Sequence, residues 1–191
     1  NYLSRDIQRS INSFTDFIAQ PASSGWRPML RGRGYFDAEY IYEDAGLPDG
    51  AMPLDYETFK NNPTPYRISA VRADTGETIN WGPDDIPDLP TLMKYTRASS
   101  TIPGVMRMPY IDGVPFVDGA LGSSGGIPID AAEADGFKKF LIVLTRPKGF
   151  RRTTPKRPQL LRQIFRSNPV VAELLITLSL IHISEPTRRY A

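Results

Sequence analysis

Asp118 follows the apolar stretch Tyr110-Ile111-Asp112-Gly113-Val114-Pro115-Phe116-Val117 and precedes the small-residue run Gly119-Ala120-Leu121-Gly122-Ser123-Ser124-Gly125-Gly126. A carboxylate at the end of a strand can take a proton from a hydroxyl or a water that comes within about 2.6–3.2 Å. The small residues after it would let other backbone come close. The same letters also spell a turn, because aspartate and glycine both favour turns. Read alone, Asp118 is a turn aspartate, and only its surroundings raise it to a candidate base.

Other chemistries find less support. The chain has no cysteine and one histidine, His182, so neither a thiolate metal site nor a disulfide framework is available. No cluster of histidines and carboxylates has metal-ligand spacing, and no cofactor is expected. Asp84, Asp85 and Asp88 lie close together, but they stand before a helix among prolines, where capping explains them. Neither a P-loop nor a dinucleotide fingerprint is present. Gly119 to Gly126 lacks the lysine and Ser/Thr order of a phosphate-binding loop, which weakens a reading with phosphate in that loop and a metal on Asp118.

The elements that must position Asp118 are legible in outline. Tyr66 to Arg72 alternates apolar and polar residues, Asp74-Thr75-Gly76-Glu77 is a turn, and Thr78 to Trp81 is a return strand. Leu89, Leu92, Met93 and Thr96 follow helical spacing, which predicts a helix to about Ser99. Ile129 to Ala134, Gln159 to Phe165 and Val170 to Thr177 read as further helices, and Asp55 to Phe59 as a short helical turn. The continuous apolar run Phe140-Leu141-Ile142-Val143-Leu144 predicts a strand buried on both faces of a parallel sheet. Strands alternating with helices make an α/β layered domain the expected class. Tyr35, Phe36, Tyr40 and Tyr42 stand in a Gly-rich region as a lid, an acyl-chain surface, or rings packed on the core.

Length and composition bound the partners. At 191 residues the chain fits one domain, and a net charge of +2 is too small to argue for nucleic acid. Basic residues cluster from Arg146 to Arg166, which reads as a solvated face or linker. Contact with anionic headgroups is the alternative reading of that cluster. The absence of cysteine suits a cytoplasmic protein. The apolar run Val170 to Ile183 is shorter than the roughly 20 residues of a membrane span and carries Glu173.

Taken in order, four pieces resemble the patatin-like phospholipase family. They are Arg97-Ala98-Ser99-Ser100-Thr101-Ile102-Pro103-Gly104, Ile111-Asp112-Gly113, Val117-Asp118-Gly119-Ala120 and Ile127-Pro128-Ile129. Leu144-Thr145-Arg146-Pro147 is similar to a bacterial subgroup of that family. The resemblance covers about residues 1–152 and implies a three-layer α/β sandwich with a mainly parallel central sheet. It also implies hydrolysis of lipid acyl esters by a serine–aspartate dyad, with Asp118 as the base and Gly119 and Ala120 supporting it. Phospholipid, lysophospholipid and neutral acylglycerol all remain open as substrates, and the aromatic and basic loops suit peripheral contact at the inner face of a membrane. The alternative is a non-catalytic relative that keeps the fold and binds lipid or a protein.

The resemblance leaves the nucleophile unassigned. In the family a serine sits in Gly-x-Ser-x-Gly on a strand–turn–helix elbow, and a Gly-rich loop supplies N–H groups for the oxyanion. Neither that motif nor that loop is expected in this chain: Ser4, Ser99, Ser100, Ser123 and Ser124 lack the elbow, and Ser99 and Ser100 are read as serving the helix end. Tyr2, Leu3, Ile7, Ile11, Phe14, Phe17 and Ile18 have helical spacing, and they are similar to the helix that follows the nucleophile. The serine and oxyanion loop are therefore expected upstream of Asn1, in a domain incomplete at its N-terminus, and the chain alone is expected to be inactive. Residues 153–177 read as the start of a C-terminal helical region. Leu178 to Arg188 spells the translation of a transposase-type sequencing adapter, so 178–191, with His182, is expected to be artefact.

Overall fold

The computed structural model describes residues 14–142 and 155–181, with side chains as far as residue 177. Two local hairpins build its sheet. β1 (Ile68–Arg72) and β2 (Thr78–Trp81) pair antiparallel, with Ile68 opposite Trp81 and Val71 opposite Thr78. β3 (Tyr110–Ile111) and β4 (Val114–Asp118) pair antiparallel around Asp112 and Gly113, whose φ angles are 51° and 80°. Two successive positive φ values are what a two-residue hairpin turn needs to match strand twist, and Asp-Gly supplies them at low cost.

The hairpins join through β1 and β4, also antiparallel, which gives the order β2-β1-β4-β3. Between them runs α3 (Leu89–Ser99), preceded in the chain by α1 (Trp26–Leu30) and α2 (Tyr56–Lys60). Asp88 caps α3, its carboxylate accepting from the Thr91 N–H at 2.9 Å, and Asp55 caps α2 through Thr58 at 3.0 Å. Asp85 accepts from the Gly82 N–H at 2.8 Å. Downstream lie α4 (Ile129–Ala134), α5 (Pro158–Ile164) and α6 (Pro169–Ile181).

Strand alternation distributes the core over two faces. Ala70, Trp81, Ile111 and Phe116 pack with Ala98 and Tyr95 of α3. Trp81 stacks on Tyr95 with ring centroids 4.1 Å apart and tilts against Phe116 at 5.1 Å. Val71, Val117 and Leu121 pack instead with Val171 of α6, and Val71, Val117 and Val171 are fully buried. A third cluster joins Phe17, Ile41 and Ala45 with Phe36, Tyr40 and Tyr42, so most of the Gly-rich region's rings serve the core. Tyr35 is the exception, at 51% exposure.

Two expectations are corrected. The described sheet is antiparallel rather than mainly parallel: the tight turns of β1–β2 and β3–β4 can join only antiparallel neighbours, and the non-local β1–β4 pair is antiparallel as well. Phe140 to Ile142 is not a strand, and Leu141 is 91% exposed. An apolar run states a preference for burial without naming a partner, and no described strand pairs with it. Val143 and Leu144, the Leu144–Pro147 segment, residues 1–13 of the expected opening helix and residues 146–154 of the basic cluster lie outside the described residues. Among the described residues no helix is long and apolar enough to cross a membrane.

Candidate active site

Asp118 is the last residue of β4, opposite Ala70 of β1, and its backbone is tied to the end of α3. Its N–H donates to the Thr101 carbonyl at 2.9 Å. Thr101 is fully buried, and its hydroxyl donates to the Arg97 carbonyl at 2.7 Å, closing the last turn of α3. Arg97, only 6% exposed, ties α3 to the π-helical turn Glu39–Asp44 through Glu43, with Glu39 at 3.8 Å. Its Nε has no hydrogen-bond partner among the described residues.

The Asp118 side chain is held by one oxygen. Oδ1 accepts from the Ala120 N–H at 2.8 Å and caps the short 3₁₀ turn Gly119–Leu121. Oδ2 has no hydrogen-bond partner among the described residues. Burial raises the carboxyl above its usual pKa, while the Ala120 N–H pulls the other way without cancelling it. A carboxylate with raised proton affinity is a better base than an exposed one.

Asp118 lines a cavity of about 280 Å³ together with Arg67, Ser69, Ser99, Ala120 and Ser124 among others. Arg67 is held at its edge by Asp135, Nε donating to Oδ2 at 2.9 Å, and the guanidinium covers Gly82, where a Cβ would overlap it. That pair holds the Asp135 carboxyl below its usual range. Gly119 is excluded from carrying a side chain by β1, because its Cβ would overlap the Ser69 carbonyl. Gly126, at φ 87°, faces Ala120, whose Cβ lies 3.1 Å from where a Gly126 Cβ would stand.

The cavity brings together residues that are distant in sequence. Ser69 and Arg67 reach it because β1 pairs with β4, and no local pattern announces that pairing. Ser99, read as serving the helix end, lines the cavity, while Ser100 caps α3 through its N–H to the Arg97 carbonyl. Gly122-Ser123-Ser124-Gly125-Gly126 carries the letters Gly-x-Ser-x-Gly, so that motif does occur in the chain, and Ser124 lines the cavity. Its setting differs from a nucleophile elbow. A 3₁₀ turn precedes it, and Ile127-Pro128 separates it from α4. Ser4 lies outside the described residues. Among the described residues no three His, Cys, Asp or Glu side chains group as metal ligands.

Neither the curated proteins nor the solved structures contain a match to this chain. Residues 2–133 match the family model of patatin-like phospholipase, well over half of the sequence. With the helix end, the Asp-Gly hairpin and Asp118 all inside the matched span, the chain belongs to the patatin-like phospholipase family, a family of lipid acyl hydrolases.

Proposed function

We propose that Asp118 is the general base of a serine–aspartate dyad in a lipid acyl-ester hydrolase, with the serine supplied by chain upstream of Asn1. The observation that supports this reading is the division of labour on one carboxylate. Oδ1 is fixed by Ala120, and Oδ2 has no hydrogen-bond partner among the described residues, on a residue that lines a cavity. In this reading the three-layer domain has a parallel set of strands carrying the serine elbow, beside the antiparallel sheet described above.

Oδ2 takes the serine proton as the serine oxygen attacks the ester carbonyl carbon. Backbone N–H groups of a Gly-rich loop stabilise the tetrahedral oxyanion. Collapse breaks the bond to the alcohol, which leaves with the proton returned by Asp118. Water then attacks the acyl-enzyme, its proton passing to Asp118 and on to the serine as the fatty acid departs.

The test is Asp118→Asn in the protein that includes its serine-bearing segment. Asparagine keeps the acceptor for Ala120 but cannot take a proton. Hydrolysis of a phospholipid or nitrophenyl ester is expected to fall to background with the fold intact, and full activity overturns the assignment. The 191-residue chain alone is expected to resist a fluorophosphonate probe. Labelling at Ser124 would move the nucleophile into the chain. An upstream segment without a serine elbow would favour a non-catalytic lipid- or protein-binding relative.

A further inference from the structure

The segment from Trp26 to Tyr35 leaves unusually large apolar side chains in solvent. Trp26 is 66% exposed, Met29 61%, Leu30 77% and Tyr35 51%, while Pro28 between them is fully buried and anchors the turn. Arg27 and Arg31 are exposed among these rings and chains and form no ion pair among the described residues. The Arg27 guanidinium lies over the Trp26 ring, 5.6 Å from its centre. Arg33 is instead committed to Asp37 at 3.1 Å. No aspartate or glutamate occurs from Pro21 to Phe36, so this stretch is basic and apolar without internal neutralisation.

The patch is built onto the segment that follows α3. The Tyr35 N–H donates to the Val105 carbonyl at 2.8 Å, and the Arg107 N–H to the Arg33 carbonyl at 3.3 Å. Gly34, at φ 91°, lets the two segments touch, since a Cβ there would stand 2.5 Å from the Val105 oxygen. Val105 follows by four residues the Thr101 that holds Asp118, so the patch and the candidate base share one backbone frame.

We propose that Trp26, Met29, Leu30 and Tyr35, with Arg27 and Arg31, form a docking surface for an anionic lipid bilayer. Tryptophan and tyrosine favour the headgroup level, where an apolar ring and a polar edge are both satisfied. Met29 and Leu30 reach the acyl boundary, and the arginines keep their charges among anionic headgroups while burying their stems. Two arginines with no ion pair among the described residues, and no acid on the segment, match the sign of such a surface. The inference rests on the lipid-hydrolase reading for its setting, but its test measures binding without turnover, so the two can fail separately.

The chain is mixed with phosphatidylcholine vesicles, with and without phosphatidylglycerol, and both co-sedimentation and tryptophan emission are followed. Trp81 is buried at 8% exposure, so a blue shift reports Trp26, and a Trp81→Phe chain isolates it. Binding is expected with phosphatidylglycerol and to weaken in high salt as the headgroup charges are screened. Arg27→Gln and Arg31→Gln are each expected to weaken it about fivefold. Met29→Ser with Leu30→Ser is expected to abolish the blue shift while circular dichroism stays unchanged. Equal binding to both vesicle types, no sedimentation, or indifference to the arginine substitutions overturns the proposal. So does a dimer in sedimentation velocity that the Met29/Leu30 substitutions dissociate, which would assign the patch to a second copy.

Discussion

The Asp118 N–H donates to the Thr101 carbonyl at 2.9 Å, so the candidate base hangs from the end of α3 as well as from β4. Thr101 holds that position with a buried hydroxyl on the Arg97 carbonyl. Thr101→Val removes this bond while keeping the shape, and the Arg97 carbonyl keeps the Ser100 N–H as a partner. The expected loss is about 1 kcal/mol, read as a lower urea midpoint, with Thr101→Ser closer to wild type in hydrogen bonding.

Ionisation of Asp118 opposes folding. Its folded pKa is raised by burial, so the folded chain holds the proton more tightly than the unfolded one. The resulting stability is full below the ordinary carboxylate range and is lost as pH rises through the folded value. Asp118→Asn lacks this titration. The stability of wild type relative to Asp118→Asn is therefore expected to fall between acid and neutral pH in paired urea titrations. Asp55, Asp74, Asp88 and Asp135, held low by Thr58, Arg72, Thr91 and Arg67, act with the opposite sign. They are common to both chains and cancel in the difference.

Gly119 and Gly113 are expected to respond to alanine for different reasons. At Gly119 the new Cβ meets the Ser69 carbonyl of a core strand, which cannot yield without parting β1 from β4. A cost of about 1–3 kcal/mol follows from overpacking. At Gly113 the surroundings are open and only the φ of 80° resists, a cost of about 1–2 kcal/mol. Hydrogen exchange separates them. Gly119→Ala is expected to expose the β1–β4 amides, whereas Gly113→Ala loosens only the β3–β4 turn.

The two acidic partners of Arg97 are expected to be unequal. Glu43 pairs directly with the buried guanidinium, whereas Glu39 stands 3.8 Å away. Glu43→Gln leaves a buried charge weakly compensated, with an expected cost of about 2–4 kcal/mol. Glu39→Gln is expected to cost less than about 1 kcal/mol. Equal thermal shifts for the two variants would contradict the reading of Arg97 as a clamp directed at Glu43.

Much of the framework was determined by the sequence alone. The β1–β2 hairpin, α3 from Leu89 to Ser99 and its Asp88 cap all rest on interactions within a few residues. Periodicity and turn chemistry report those directly. The position of Asp118 at a strand end followed in the same way. Only the tertiary structure decided what surrounds it. The β1–β4 pairing is non-local, and it brings Ser69 and Arg67 to Asp118 and makes Gly119 obligatory against the Ser69 carbonyl. Burial of Arg97 is likewise set by where Glu43 lies. Local patterns fix which groups seek a partner, and the packing of distant segments decides which partner each one meets.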